Sequence, residues 1–298
     1  MKFNKILLFI IIVISNYSIA DNIFEPNQLP NIQIIENKNI EIDQKYKNKL
    51  SILQKNRFFV MYSYQNLLQN NIKCQNIEIN EYIESFKILL NELDRYKLEF
   101  FKQIDFNYLV LCSNLQLENY YTAGIPNNKV STLIFDIALD KNMIARSIHH
   151  EIFHMIKQNK KNEKIDNLYA NINDKGFNYE DCSVCSNNLD ITFTNQLNGF
   201  VSSYASNTLE EDQAELYAAI MTIDNFDNFY INDDRIIKKK KLIENYYLKF
   251  LKCVKKNTYL IYLKLFCILS FYYFLDHASY FILMLVINVE IQKILILV

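Results

Sequence analysis

From Asp140 onward, Ile144, Ile148, Ile152, Met155 and Ile156 recur at helical spacing and trace one apolar stripe. The sector beside that stripe carries His150-Glu151-Ile152-Phe153-His154. Two histidines four residues apart on a helix lie about 40° apart around its axis, with Cβ atoms about 5–6 Å from each other, so both imidazoles can reach one ion. A helix of this kind must bury its stripe in a core while the adjoining sector faces a cleft. Asp140 precedes it as an N-cap, its carboxylate accepting from the free N–H groups of the first turn.

H-E-x-x-H is a metal-site spacing with a mechanism attached. The histidines hold zinc, and Glu151 can take a proton from an attacking water and pass it to the leaving amine. The chain has only four histidines (His149, His150, His154 and His277), so chance assembly of the motif is a poor explanation. His149 points elsewhere on the helix and reads as a packing or supporting residue. A catalytic zinc needs a third protein ligand and an open position. No histidine follows at the x-x-G-x-x-H spacing, and Asn159-Lys160-Lys161 cannot substitute, so the ligand must come from downstream. The carboxylate cluster between Gly199 and Glu215 is the candidate region. Within it Thr208-x-x-Glu211 is also a capping box, in which the glutamate would bond back to the backbone instead. Glu215, one turn later, is the reserve ligand or a support for the ligands.

Over roughly residues 106–220 the chain resembles zincin metallopeptidases whose third ligand is glutamate. The specific part lies in two segments: Gly199-Phe200-Val201-Ser202-Ser203-Tyr204, and Glu211-Asp212-Gln213-Ala214-Glu215. They are similar to stretches of bacterial zinc metallopeptidases and of the anthrax lethal factor catalytic-domain family. The resemblance implies an α+β zincin-like fold, with a small mixed sheet packed on the active-site helix and a helical C-terminal lobe. It also implies one Zn2+ per chain held by His150, His154 and Glu211, with Glu151 and Tyr204 catalytic, Tyr204 donating to the oxyanion and Glu215 supporting the ligands. Gln213 stands where many of these sequences carry an aromatic residue. The expected activity is hydrolysis of peptide bonds in a peptide or protein substrate. A catalytically silent exported binding protein of the same fold is the alternative, against which the intact Glu151 counts. An intramembrane protease is excluded by Asp140, Lys141, Arg146, Lys157, Lys160 and Lys161 around the motif, which leave no apolar span of about 20 residues there.

The N-terminus reads as a secretory signal. Lys2 and Lys5 precede an apolar run from Ile6 to Ile14, and Ser18-Ile19-Ala20 suits cleavage after Ala20. The expected organisation is a signal peptide at 1–20, a metallopeptidase domain at 21–257 and a hydrophobic tail at 258–298, in a periplasmic or secreted protein. Membrane attachment through the tail is not favoured, because Lys-rich 238–256 would then lie outside, against the positive-inside tendency. Six cysteines, all beyond the signal, permit disulfides after export, but their connectivity is not readable. A net charge of −1 gives no pull toward nucleic acid.

Local patterns predict a strand at Arg57–Tyr64, a helix at Asn80–Phe101, and strands at Phe106–Cys112 and Val130–Leu139 joined by a loop holding Gly124-Ile125-Pro126. Residues 157–199 read as irregular. A helix is expected from Thr208 and another over Leu242–Val254, with the Lys238–Lys241 run before it a solvated face. A substrate-pairing edge strand is expected at Val130–Asp136. With only three glycines in 298 residues, Gly124, Gly176 and Gly199 mark places where a side chain would strain the backbone.

Overall fold

The computed structural model of the chain describes residues 32–63, 67–69, 71–183 and 188–247. The expected signal peptide, the tail and the end of the helix expected at 242–254 lie outside them. The strands are β1 (Ile32–Ile34), β2 (Phe59–Ser63), β3 (Leu67–Gln69), β4 (Ile72–Gln75), β5 (Tyr108–Leu117), β6 (Tyr120–Tyr121), β7 (Gly124–Asn127) and β8 (Thr132–Asp136). The helices are α1 (Gln44–Lys55), α2 (Ile83–Leu93), α3 (Leu98–Gln103), α4 (Lys141–Asn159), α5 (Glu163–Ala170), α6 (Leu209–Thr222), α7 (Phe226–Phe229) and α8 (Asp234–Leu242).

Three parallel strands, β2, β5 and β8, form the middle of a mixed sheet. β1 runs antiparallel to β2 on one side, and β7 runs antiparallel to β8 on the other. The far half of β5 leaves this sheet to pair with β4 and β6, and β3 pairs with β4. Successive residues of a strand face opposite sides. Leu109 and Leu111 of β5 therefore join the main core beneath the helices, while Val110 and Cys112 join a smaller cluster with Ile72 and Cys74 of β4. Leu115 joins that cluster too, because the alternation breaks at Asn114, which has φ +52°. Apolar cover on both faces explains why β5 reads as a continuous hydrophobic run rather than an alternation. Cys74 and Cys112 form a disulfide within the smaller cluster.

Helix α4 lays Ile144, Ile148, Ile152, Met155 and Ile156 in the main core, as its stripe requires. The Asp140 side chain accepts from Asn142 N–H at its start. Helix α6 packs along it. The α+β architecture is thus the expected one: a mixed sheet, the motif helix against it, and helices α6 to α8 beyond.

Several local expectations are corrected. Gly124-Ile125-Pro126 is strand, not loop, and it pairs with β8. That pairing makes β8 an interior strand with β5 on its other side, so the edge expected at Val130–Asp136 is β7 instead. The helix expected at 80–101 breaks between Leu93 and Leu98, where Tyr96 turns inward and its hydroxyl meets His149 Nδ1 at 2.5 Å. The stretch 157–199 contains α5, capped by Asn162, whose side chain accepts from Ile165 N–H. The Lys238–Lys241 run lies inside α8, and Lys239 is fully buried rather than part of a solvated face.

Candidate metal centre

His150 and His154 project from α4, and Glu211 projects from the first turn of α6. His150 Nε2 lies 3.0 Å from His154 Nε2 and 3.0 Å from Glu211 Oε2, and His154 Nε2 lies 3.6 Å from the same oxygen. Ligand bonds of about 2.0–2.2 Å in a tetrahedral zinc site put neighbouring ligand atoms about 3.3–3.5 Å apart. The three atoms therefore already form one face of such a tetrahedron. Glu211 Oε2 is buried and receives no well-directed hydrogen bond, a cost that a cation would remove. Thr208 accepts from Glu211 N–H at 3.2 Å, so the cap at the start of α6 is made by threonine while the glutamate side chain faces the imidazoles.

The electrostatics point the same way. Burial lowers the pKa of His150, but the Glu211 and Glu215 carboxylates outweigh it and hold the imidazole well above its ordinary value. Burial pushes Glu211 up, yet His154 and His150 bring it far below the usual carboxylate range. A pocket with these charges stabilises positive charge, whether as a proton or as a divalent cation. The donor set of two imidazoles and one carboxylate fits zinc.

Glu215 sits behind His150. Its Oε1 lies 2.8 Å from His150 Nδ1, and its Oε2 accepts from Ser202 Oγ at 2.6 Å and from the Arg146 guanidinium. A carboxylate on Nδ1 fixes the imidazole so that Nε2 faces His154 and Glu211. Arg146 lies four residues before His150 on α4, and its guanidinium stacks on the Phe193 ring at 4.5 Å. Helical spacing could have singled out Arg146. Ser202 sits within the first motif segment, but nothing local marks its target.

Glu151 is 5% exposed, and burial raises its carboxyl pKa against the opposing pull of His150 and His154. It packs beneath Gly124 of β7, where an added Cβ would lie 2.6 Å from Glu151 Cγ and 2.8 Å from Cδ. The Tyr204 ring stands beside His150, centroids 6.3 Å apart, and its hydroxyl is hydrogen-bonded to the Ser183 side chain. Burial and the nearby Glu211 keep that phenol protonated. His149 turns away from the site. Its Nε2 meets Glu92 at 2.8 Å and its Nδ1 meets Tyr96, joining α4 to α2. Gln213 is buried, and its Nε2 donates to Asp166 Oδ1 at 3.0 Å.

One residue from Glu211, Asp212 anchors α6 from below. Its Oδ2 accepts from Lys239 Nζ at 2.6 Å and from Tyr179 OH at 2.6 Å, and its Oδ1 accepts from Tyr169 OH at 3.1 Å. Lys239 Nζ also donates to Gly199 O at 2.7 Å. Gly199 has φ +90°, a conformation that favours glycine, and its N–H donates to Asp233, the N-cap of α8. The loop carrying Ser202 and Tyr204 is thereby tied to both α6 and α8.

Residues 121–252 match the family described as "Putative zinc-binding metallo-peptidase". That span includes every residue of the site, and it bears out the expected resemblance to zinc metallopeptidases. A crystal structure titled "putative zinc-binding metallo-peptidase" from Bacteroides caccae aligns with 16% identity, covering 72% of this chain and 90% of that one, with a TM-score of 0.44. No curated protein matches the chain.

Proposed function

We propose that this chain is an exported zinc-dependent endopeptidase, with His150, His154 and Glu211 as the metal ligands and Glu151 as the general base. The observation that carries the reading is the convergence of two imidazole nitrogens on a buried, unsatisfied Glu211 oxygen, with Glu151 beside His150 on α4. Zinc held by His150, His154 and Glu211 would polarise a scissile carbonyl and lower the pKa of a water molecule.

Each remaining part belongs to this chain's own residues. Glu151, raised by burial, accepts the proton of the attacking water and delivers it to the leaving amine. Tyr204 donates its phenol proton in a hydrogen bond to the oxyanion, charge that exists only in the transition state. Glu215, held by Ser202 and Arg146, keeps the His150 ring from rotating.

The substrate is an extended peptide laid along β7. Ala123 C=O accepts from Asp136 N–H, so by alternation Gly124 and Pro126 turn their backbone groups to the free edge. Gly124 is buried and its C=O already accepts from Thr122 Oγ at 2.9 Å, while Pro126 has no N–H to offer, which limits pairing to a short stretch beside Glu151. Export is supported by the signal-like N-terminus, by the Cys74–Cys112 disulfide and by Cys182, which is also disulfide-bonded.

The test is zinc content and proteolysis of the purified protein. The wild type is expected to hold one zinc and to cleave an unstructured protein. Glu211→Gln loses the metal, and Glu151→Gln keeps it but does not cleave. A folded wild type without zinc, or cleavage that survives Glu151→Gln, refutes the reading.

A further inference from the structure

We propose that Gly124 is a positioning residue for Glu151: the edge strand approaches α4 so closely that only a residue without a side chain leaves room for the carboxylate in its working place. This rests on Glu151 being the general base. Glycine is disfavoured inside strands, where it weakens pairing and leaves nothing to pack. Gly124 is not among the glycines with positive φ, so its backbone conformation does not call for glycine. Space does. A Cβ at this position would lie 2.6 Å from Glu151 Cγ, 2.8 Å from Cδ and 3.2 Å from the Ile134 carbonyl oxygen.

Glu151 Cγ and Cδ belong to a flexible side chain, but burial leaves that chain little room, and the Ile134 oxygen is backbone. Glu151 is buried between α4 and β7, and Ile134 belongs to β8, paired to β7 through its backbone. A methyl group at position 124 would have to push the glutamate out of its seat. The contact also explains how one strand serves two tasks. By alternation Gly124 turns its backbone groups away from β8, toward the side where a peptide would lie, and its bare Cα forms the wall against Glu151. The scissile bond and the base are thus brought together with nothing but backbone between them. Thr122 Oγ, donating to Gly124 O at 2.9 Å, and Asn128 Nδ2, donating to Met155 O at 2.7 Å, fix the strand on either side of this point.

Restoring an ordinary contact of about 3.4 Å would move the Glu151 side chain by nearly 1 Å, a displacement that costs on the order of 100-fold in rate when it falls on a reacting group. The experiment uses the full zinc-loaded chain carrying Gly124→Ala, Glu151→Ala or both. Gly124→Ala is expected to keep one zinc, to lower kcat on a fluorogenic peptide by about 10- to 100-fold and to leave KM within about 3-fold. Thermal unfolding supplies a reading independent of activity. Gly124→Ala lowers Tm when Glu151 is present but does so little or not at all in the Glu151→Ala background, where the obstructed atoms are gone. Should Gly124→Ala alone fail to fold, recovery of folding in the double variant supports the proposal, and failure of the double variant as well overturns it. An unchanged kcat, or an equal loss of Tm in both backgrounds, also overturns the proposal. A wild type that cleaves nothing while the Tm coupling persists would overturn the peptidase reading and leave the Gly124–Glu151 contact standing.

Discussion

Replacing Lys239 by methionine removes the cation from the most deeply buried ion pair in the described structure while keeping most of the side chain's volume. Lys239 and Asp212 are 0% and 1% exposed, so solvent screening does not dilute their interaction. The substitution takes away the 2.6 Å bond to Asp212 and the 2.7 Å bond to Gly199 O, and it ends the approach of the ammonium to the Phe200 ring at 4.2 Å. Tyr169 and Tyr179 still donate to the carboxylate, which lessens the loss, but Gly199 O is left without this donor. Removing one partner of a buried pair costs about 3–5 kcal/mol. For a domain of this size about 4 kcal/mol corresponds to a fall in Tm of roughly 8–16 °C. The assay is urea and thermal unfolding of chelator-treated protein, so that metal binding does not enter. Raising salt from about 0.1 M to about 1 M should not shrink the difference, because buried charges are little screened. In the cycle with Asp212→Asn, the double variant should lose clearly less than the sum of the single losses. A loss below about 1 kcal/mol, or strict additivity, would refute the buried-pair reasoning and return Lys239 to a solvated face.

Glu215→Gln should weaken zinc binding by about 10- to 100-fold while the protein stays folded, as competition with a zinc indicator would show; unchanged affinity would deny Glu215 its hold on His150. Zinc at roughly a thousand times its Kd should stabilise the wild type by about 4 kcal/mol against chelator, and this gain should vanish in Glu211→Gln. Thr208→Ala should cost about 1 kcal/mol by uncapping α6 without changing zinc stoichiometry, which separates the cap from the Glu211 side chain. Cutting the Cys74–Cys112 bridge with Cys74→Ser should cost about 4 kcal/mol for a sequence separation of 38 residues, measured by urea unfolding with and without reductant. A loss that persists when both proteins are reduced would assign the effect to packing of the sulfur instead.

The motif helix and both caps were legible because helices are local. The 3.6-residue period sets the stripe from Ile144 to Ile156, and a cap needs only its own first turn, as at Asp140 and Thr208. The approach of Glu211 to the histidines was legible only through resemblance. Spacing alone left it poised between a cap and a ligand, because the distance between α4 and α6 is written in neither helix. Local patterns mislead where a side chain answers to a distant partner. Tyr96 breaks a helical pattern to reach His149, and Ile125-Pro126 looks like a turn until β8 pairs with it.

The sequence by itself therefore determined the chemistry on offer: two imidazoles and a glutamate on one helix face, with carboxylates at the head of another. Tertiary structure alone decided which groups surround that chemistry. It placed Arg146 and Ser202 on Glu215, buried Lys239 under Asp212, and set β7 rather than β8 at the edge with Gly124 against Glu151. Period and capping are encoded within one turn of chain. The burial of a lysine and the clearance around a glutamate depend on packing between segments far apart in sequence, which no local pattern records.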